Sequence, residues 1–137
     1  VTIRLLGPMT AHDLVTGQTF VTLPLRLVSE ANVREHWRPR AKRAATQRSI
    51  ARMLVGQAIG GRNLPAIVTL TRIAPRELDG DNLQRACKAV RDGVADALGC
   101  DDRDPRINWQ YAQERAGVNE YGVRITLEFQ RASDSAQ

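Results

Sequence analysis

Cysteine, histidine and long apolar runs are scarce here, and each scarcity removes a class of protein. The chain holds two cysteines and two histidines in 137 residues. Cys87 falls on an apolar helical face and Cys100 adjoins a turn, so they form no disulfide framework. Two cysteines without paired histidines nearby make no zinc site, and His12 and His36 have no Cys or His at metal spacing. No apolar run approaches membrane-spanning length and the N-terminal stretch has no signal-peptide h-region, so the expected compartment is the cytoplasm. One further absence is local. From His36 through Arg76 there is no Asp or Glu, while Arg38, Arg40, Lys42, Arg43, Arg48, Arg52, Arg62, Arg72 and Arg76 all fall there. A solvated helix face normally mixes both signs, so this acid-free run points to contact with a polyanion.

The length suits one domain with a self-sufficient core. Hydrophobic content of 42% and charged content of 26% are ordinary for a folded protein, and the net charge is +5. Ile3–Leu6 is readable as a short strand broken by Gly7-Pro8, with a turn at Thr16-Gly17. Residues 1–18 are otherwise treated as an N-terminal extension. Thr19 to Val28 alternates as a strand, with Pro24 marking an edge or bulge. Ser29 to Pro39 reads as a polar loop. Ala41 to Ile59 reads as a helix ended by Gly60-Gly61, with Ala44, Ala45, Ile50, Met53, Leu54 and Ala58 on its apolar side. Leu64 to Ile73 is a β-branched strand closed by Pro75.

The second helix is the clearest element. Leu83, Ala86, Cys87, Val90, Val94, Ala97 and Leu98 form one stripe at i, i+3, i+4, i+7 spacing. Asp81 is the expected N-cap, with Gln84 three residues on, and Gly99 the expected C-terminal glycine. Ile107 to Ala116 and Tyr121 to Phe129 read as a hairpin across Val118-Asn119-Glu120, and residues 131–137 as a polar tail. The order β-α-β-α-β-β implies an α+β fold of two layers, a mixed sheet with helices packed on it.

Acid gathers at both ends of that second helix: Asp79 and Asp81 before it, Asp101, Asp102 and Asp104 after it. Part of this is explicable by capping, by Asp81–Arg85 and Lys88–Asp92 ion pairs, and by a polar turn before Pro105. Carboxylates beyond a helix C-terminus nevertheless meet its partial negative charge, and a bound cation would remove that repulsion. Hard divalent cations take carboxylate oxygens.

Asp79-Gly80-Asp81-Asn82-Leu83-Gln84, the helix, and then Gly99-Cys100-Asp101-Asp102 resemble the RusA family of Holliday junction resolvases. The family pattern is Asp-x-Asp-Asn-Leu-x-Lys, a helix of this length, and a later Asp-Asp. The resemblance spans roughly residues 19–130, taking in the Val21-Thr22-Leu23-Pro24 strand, the loop carrying Asn32 and the last two strands. It implies a Mg²⁺-dependent endonuclease that binds branched DNA, such as a four-way junction, as a homodimer. Asp79, Asp81 and Asp102 would be its metal ligands. The family's catalytic lysine falls on Arg85, which gives up no proton, with Lys88 one turn on. Arg103-Asp104-Pro105-Arg106 lengthens the spacing, leaving Asp101 or Asp104 as alternatives for the third ligand.

The helix Asn82–Leu98 has ends roughly 25 Å apart at about 1.5 Å per residue, whereas carboxylates sharing Mg²⁺ each approach to about 2.1 Å. Two antiparallel copies related by a twofold axis would set Asp81 of one near Asp102 of the other, so a composite site is expected. Arg85 or Lys88 would contact the scissile phosphate. Asn32, Arg34, Arg38, Arg40, Lys42, Arg43, Arg48 and Arg76 would hold DNA. Trp37 is equally readable as a DNA-stacking residue or a loop anchor, and Trp109 and Tyr111 as structural. Two rival readings share the charge pattern: a nucleic-acid-binding module whose metal site has decayed, and a small RNA-binding protein whose acidic turns only cap a helix.

Overall fold

A computed structural model describes residues 2–29 and 37–130, with Trp37 by its backbone alone. Six strands and two helices lie among them: β1 (Arg4–Leu5), β2 (Met9–Asp13), β3 (Gln18–Leu23), α1 (Trp37–Ile59), β4 (Ile67–Ala74), α2 (Gly80–Leu98), β5 (Asn108–Arg115) and β6 (Glu120–Glu128). The sheet order is β2-β3-β6-β4-β5, with β1 pairing in parallel to the start of β6. Both helices pack on this mixed sheet, giving the α+β two-layer fold expected.

Alternation builds the core. Val21 and Leu23 on β3, Val68 and Leu70 on β4, and Val123, Ile125 and Leu127 on β6 are all buried on the helix side. The α2 stripe of Leu83, Ala86, Cys87, Val90 and Val94 closes over them, joined by Ala51, Val55 and Ile59 of α1. Burial pushes the Cys87 thiol up to about 12, so it is an inert packing group.

Four expectations are corrected. The last two strands do not pair with each other, because β4 lies between them: β5 runs parallel to it on one side and β6 antiparallel on the other. The β4–α2–β5 crossover brings β5 back beside β4 as a parallel neighbour, leaving the other edge of β4 to β6. The segment 116–119 crosses over the end of β4, with Ala116 N–H donating to Ala74 O and Asn119 in the left-handed region at φ 60°. Residues 1–18 contribute β1 and β2 to the sheet, β2 pairing with β3 from Met9↔Thr22 to Asp13↔Gln18. α1 starts at Trp37, since Pro39 in a first turn sacrifices no helical hydrogen bond. Its fully buried stripe is Gln47, Ala51, Val55 and Ile59, while Ala44, Ala45 and Met53 are exposed.

The helices meet most closely at Gly93. A methyl there would press on the Arg48 carbonyl and approach Ala51 Cβ to 2.8 Å, and the obstacle is α1 backbone. Nearby, Arg48 fastens the pair with a two-pronged contact to Asp96, 2.7 Å from Nε and 2.9 Å from Nη2. We expect Gly93→Ala to destabilise the protein by about 1–3 kcal/mol through overpacking. Gly56→Ala, on the open side of α1 with nothing within 4 Å of the added methyl, should be neutral or stabilise by roughly 0.4–1 kcal/mol. Urea unfolding of both variants checks this, and equal effects would mean Gly93 does not set the helix spacing.

Candidate functional site

α2 begins two residues ahead of the sequence expectation, and its cap is Asp79 rather than Asp81. Asp79 has extended backbone, and its Oδ1 accepts from Asn82 N–H at 3.0 Å. Asp81 therefore sits inside the first turn, where the helix dipole favours a carboxylate. It is exposed and makes no hydrogen bond or ion pair with the described residues. The Asp81–Arg85 pair does not form, so Arg85 is also an exposed, uncommitted charge. Lys88–Asp92 does form, at 2.9 Å. At the other end Gly99 takes φ 70°, and its N–H donates to Asp96 O, ending the helix as expected.

Beyond Gly99 the chain doubles back along α2, which corrects the expectation that Asp102 lies past the helix end. Asp102 Oδ2 accepts from Lys88 Nζ at 2.8 Å and lies 3.6 Å from Arg91 Nε. An Arg91 N–H also donates to the Asp102 backbone carbonyl, which locks the reversal. Since Lys88 Nζ bonds Asp92 and Asp102 together, Asp102 is level with about residue 90. It is thus roughly 13 Å along the axis from Asp81 at about 1.5 Å per residue. The gap is half that expected and still too wide for one metal ion. Among the described residues no three His, Cys, Asp or Glu side chains are gathered to hold a metal.

Two of the three acids beyond the helix, Asp102 and Asp104, meet the protein's own cations, and Asp101 accepts from a backbone amide of the turn. Asp101 Oδ1 accepts from Arg103 N–H at 2.8 Å. Asp104 takes both prongs of the Arg106 guanidinium, at 3.0 and 2.7 Å. Of the three acids, Asp102 alone turns toward the basic row of α2. The ammonium of Lys88 holds its carboxyl below the usual carboxylate range. Asp102, then Asp92, raises the Lys88 pKa in return, so Lys88 stays protonated and acts as a fixed positive charge, not a base.

These side chains line a groove formed by Gln84, Arg85, Lys88, Arg91, Asp102, Arg103 and Tyr111. Sequence reasoning missed Arg91. It stacks over Trp109 at 4.7 Å and donates to Tyr111 Oη at 2.9 Å, tying helix to strand. Its spacing from Gln84 and Lys88, i, i+4, i+7, is the signal that was available. Trp109 and Tyr111 pack against the core as expected, and Tyr111 also walls the groove. Of the residues proposed to hold DNA, Arg38, Arg40 and Lys42 are exposed near the start of α1, and Arg43 is half-buried there. Arg48 is largely neutralised by Asp96. Arg76 is exposed just after β4, and Asn32 and Arg34 lie outside the described residues.

The Asp104–Arg106 contact gives a pH signature. The guanidinium lowers the Asp104 pKa to about 2. A depressed carboxylate lends stability that is complete above its unfolded value, about 3.9, and is lost as pH falls through the folded value. By carboxyl ¹³C NMR, Asp104 should titrate near 2 in the native chain and return to the ordinary range in Arg106→Gln. An ordinary value in the parent chain would mean the pair is not formed in solution.

No family model matches this chain. A curated relative, an uncharacterized protein of Xylella fastidiosa (strain Temecula1), is 38% identical over an 82-residue alignment that covers 53% of this chain and 52% of that protein. The match thus spans about half the length of each. Among solved structures, thiamine monophosphate kinase from Aquifex aeolicus aligns over 89% of this chain and 37% of its own, at 13% identity and a TM-score of 0.39. So remote a likeness says nothing of the activity of this chain.

Proposed function

We propose that this protein is a metal-dependent endonuclease of branched DNA, similar to the RusA resolvases, acting as a homodimer with composite sites. One observation carries the reading: a single helix presents at its N-terminus an exposed carboxylate without a partner among the described residues, and a row of cations behind it. Asp81 is the carboxylate, beside Asp79, and Arg85, Lys88 and Arg91 are the row. Carboxylate oxygens next to a cationic groove suit a hard cation and a phosphodiester together.

Mg²⁺ would be held by Asp79 and Asp81 of one chain, with Asp102 of the second as a further oxygen donor. Bound there, it would lower the pKa of a water and offset charge in the transition state. The remaining work belongs to the chain. Asp102 would leave Lys88 on engaging the cation, freeing the Lys88 ammonium for the scissile phosphate. Arg85, unable to lose its proton, would hold a non-bridging oxygen as a permanent donor. A twofold axis level with Arg85 would set Asp81 beside Asp102 of the partner. It would also bring two Arg85 side chains together, a repulsion that an intervening phosphate would offset. The basic start of α1 would grip the DNA arms.

A second reading, nucleic-acid binding without hydrolysis, is favoured by Asp102 being paired with Lys88. A labelled four-way junction incubated with Mg²⁺ or with EDTA separates the two. Cleavage in Mg²⁺ alone supports the first, and binding without cleavage in both supports the second. Asp79, not Asp81, caps α2, so Asp81→Asn leaves the cap intact. We expect it to keep helix content and junction binding while losing cleavage by about a hundredfold or more. Unchanged cleavage would remove Asp81 from the site.

Subunit mixing tests the composite site. Asp81→Asn and Asp102→Asn homodimers should each be inactive. A mixed dimer would carry one site with both defects and one with neither, so nicking of one strand should return. Sites built within single chains would give no rescue, provided heterodimers are shown to form.

A further inference from the structure

Arg72 is a charge in an unexpected place. It stands on β4 in phase with Val68 and Leu70, so its side chain points into the helix side of the sheet, and it is only 7% exposed. Its guanidinium donates from Nε to Leu27 O at 3.0 Å and from Nη1 to Arg76 O at 2.7 Å. Those two carbonyls use two of its five N–H groups. Among the described residues no carboxylate pairs with it. Burial pushes its pKa down, and Arg26 nearby pushes it further. A buried charge without a counter-charge is costly unless something anionic completes it.

The surroundings have the same character. Arg72 lines a pocket of about 530 Å³ together with Arg26, Arg76, Ser29, Asn119 and Tyr121, and among the described residues no acid contributes to its wall. Arg26 lies over the Tyr121 ring at 4.5 Å, which fixes the position of a second guanidinium. The Ser29 hydroxyl is buried without a hydrogen-bond partner among the described residues. Three guanidiniums and an unused hydroxyl, with no carboxylate among the described residues, match a ligand rich in acceptor oxygens and carrying negative charge. A purely structural Arg72, bracing the Leu27 and Arg76 carbonyls, would explain its own two bonds. It would leave the Ser29 hydroxyl and the gathering of Arg26 and Arg76 without a reason.

We propose that the pocket between the end of β4 and the segment after β3 is a phosphate-binding site, with Arg72 as its buried base, Arg26 and Arg76 as its rim and Ser29 as a further donor. The phosphate is either that of nucleic acid or that of a free small molecule. The site is separate from the α2 groove and shares none of its residues, so it stands or falls independently of DNA hydrolysis.

The test uses the full chain without metal. Inorganic phosphate is titrated at constant ionic strength against a chloride control, with ¹⁵N–¹H NMR following Ser29 and Asn119. Saturable shifts at these amides, absent with chloride, are expected. Arg26→Gln and Arg76→Gln alter exposed residues and leave the buried Arg72 bonds in place, and each should weaken phosphate binding by about tenfold. Ser29→Ala should weaken it less. Shifts no larger than with chloride, or an affinity unchanged from the parent chain in both arginine variants, would overturn the proposal. Saturating junction DNA then distinguishes the sources. Loss of the phosphate response assigns the pocket to the nucleic-acid backbone, and an undiminished response assigns it to a free phosphorylated ligand.

Discussion

Everything about the candidate groove depends on how α2 is pressed onto the sheet. Its apolar stripe fixes the helix's rotation about its own axis, because Leu83, Cys87, Val90 and Val94 have only one direction in which to leave water. Once that rotation is set, the adjoining stripe of Gln84, Lys88 and Arg91 is carried to the flank that faces β5 and the returning turn. The close approach of α1 at Gly93 holds the same rotation from the opposite side. The direction in which the cationic row faces is thus a by-product of burial elsewhere, and Arg91 is then fixed further by Trp109 and Tyr111.

Much of this was legible in advance, and for identifiable reasons. The α2 stripe and its Gly99 terminus announce themselves because periodicity and left-handed glycine are local signals. The β3, β4 and β6 cores were readable by alternation for the same reason. The pairing of β5 was not. Two strands joined by four residues look like a hairpin whatever lies between them, and only the crossover geometry of β4–α2–β5 shows that a strand stands in the gap. The α1 face was misread because Ala contributes little to either side of a helix pattern, leaving Ala44 and Ala45 indistinguishable from Ala51.

The candidate site divides in the same way. Asp79, Asp81 and Asp102 were selected by type and spacing, and the fold does place Asp102 against α2. What spacing could not reveal was the return of the chain after Gly99, which turns Asp102 from a distant acid into the partner of Lys88. Nor could it show that Asp101 and Asp104 are consumed by their own turn and by Arg106. Arg72 illustrates a different gap. Its alternation with Val68 and Leu70 marked it as inward-pointing, and an inward arginine is visible in the sequence only to a reader who distrusts a charged residue in a buried row.

The insertion of β6 between β3 and β4 bears on how the chain acquires its shape. Gln18 on β3 and Glu128 on β6 are hydrogen-bonded across 110 residues of sequence, whereas β4, α2 and β5 form one contiguous stretch. Local pieces close cheaply, while distant pairings must first overcome the entropy of the intervening loop. During synthesis, β3 emerges with its apolar side complete and then waits for nearly the whole remaining chain before its neighbour exists. In that interval α1 can cover its apolar face, but β2 is the strand paired to it, which gives the short N-terminal hairpin a task that the finished fold conceals: shielding one edge of β3 until the last strand arrives.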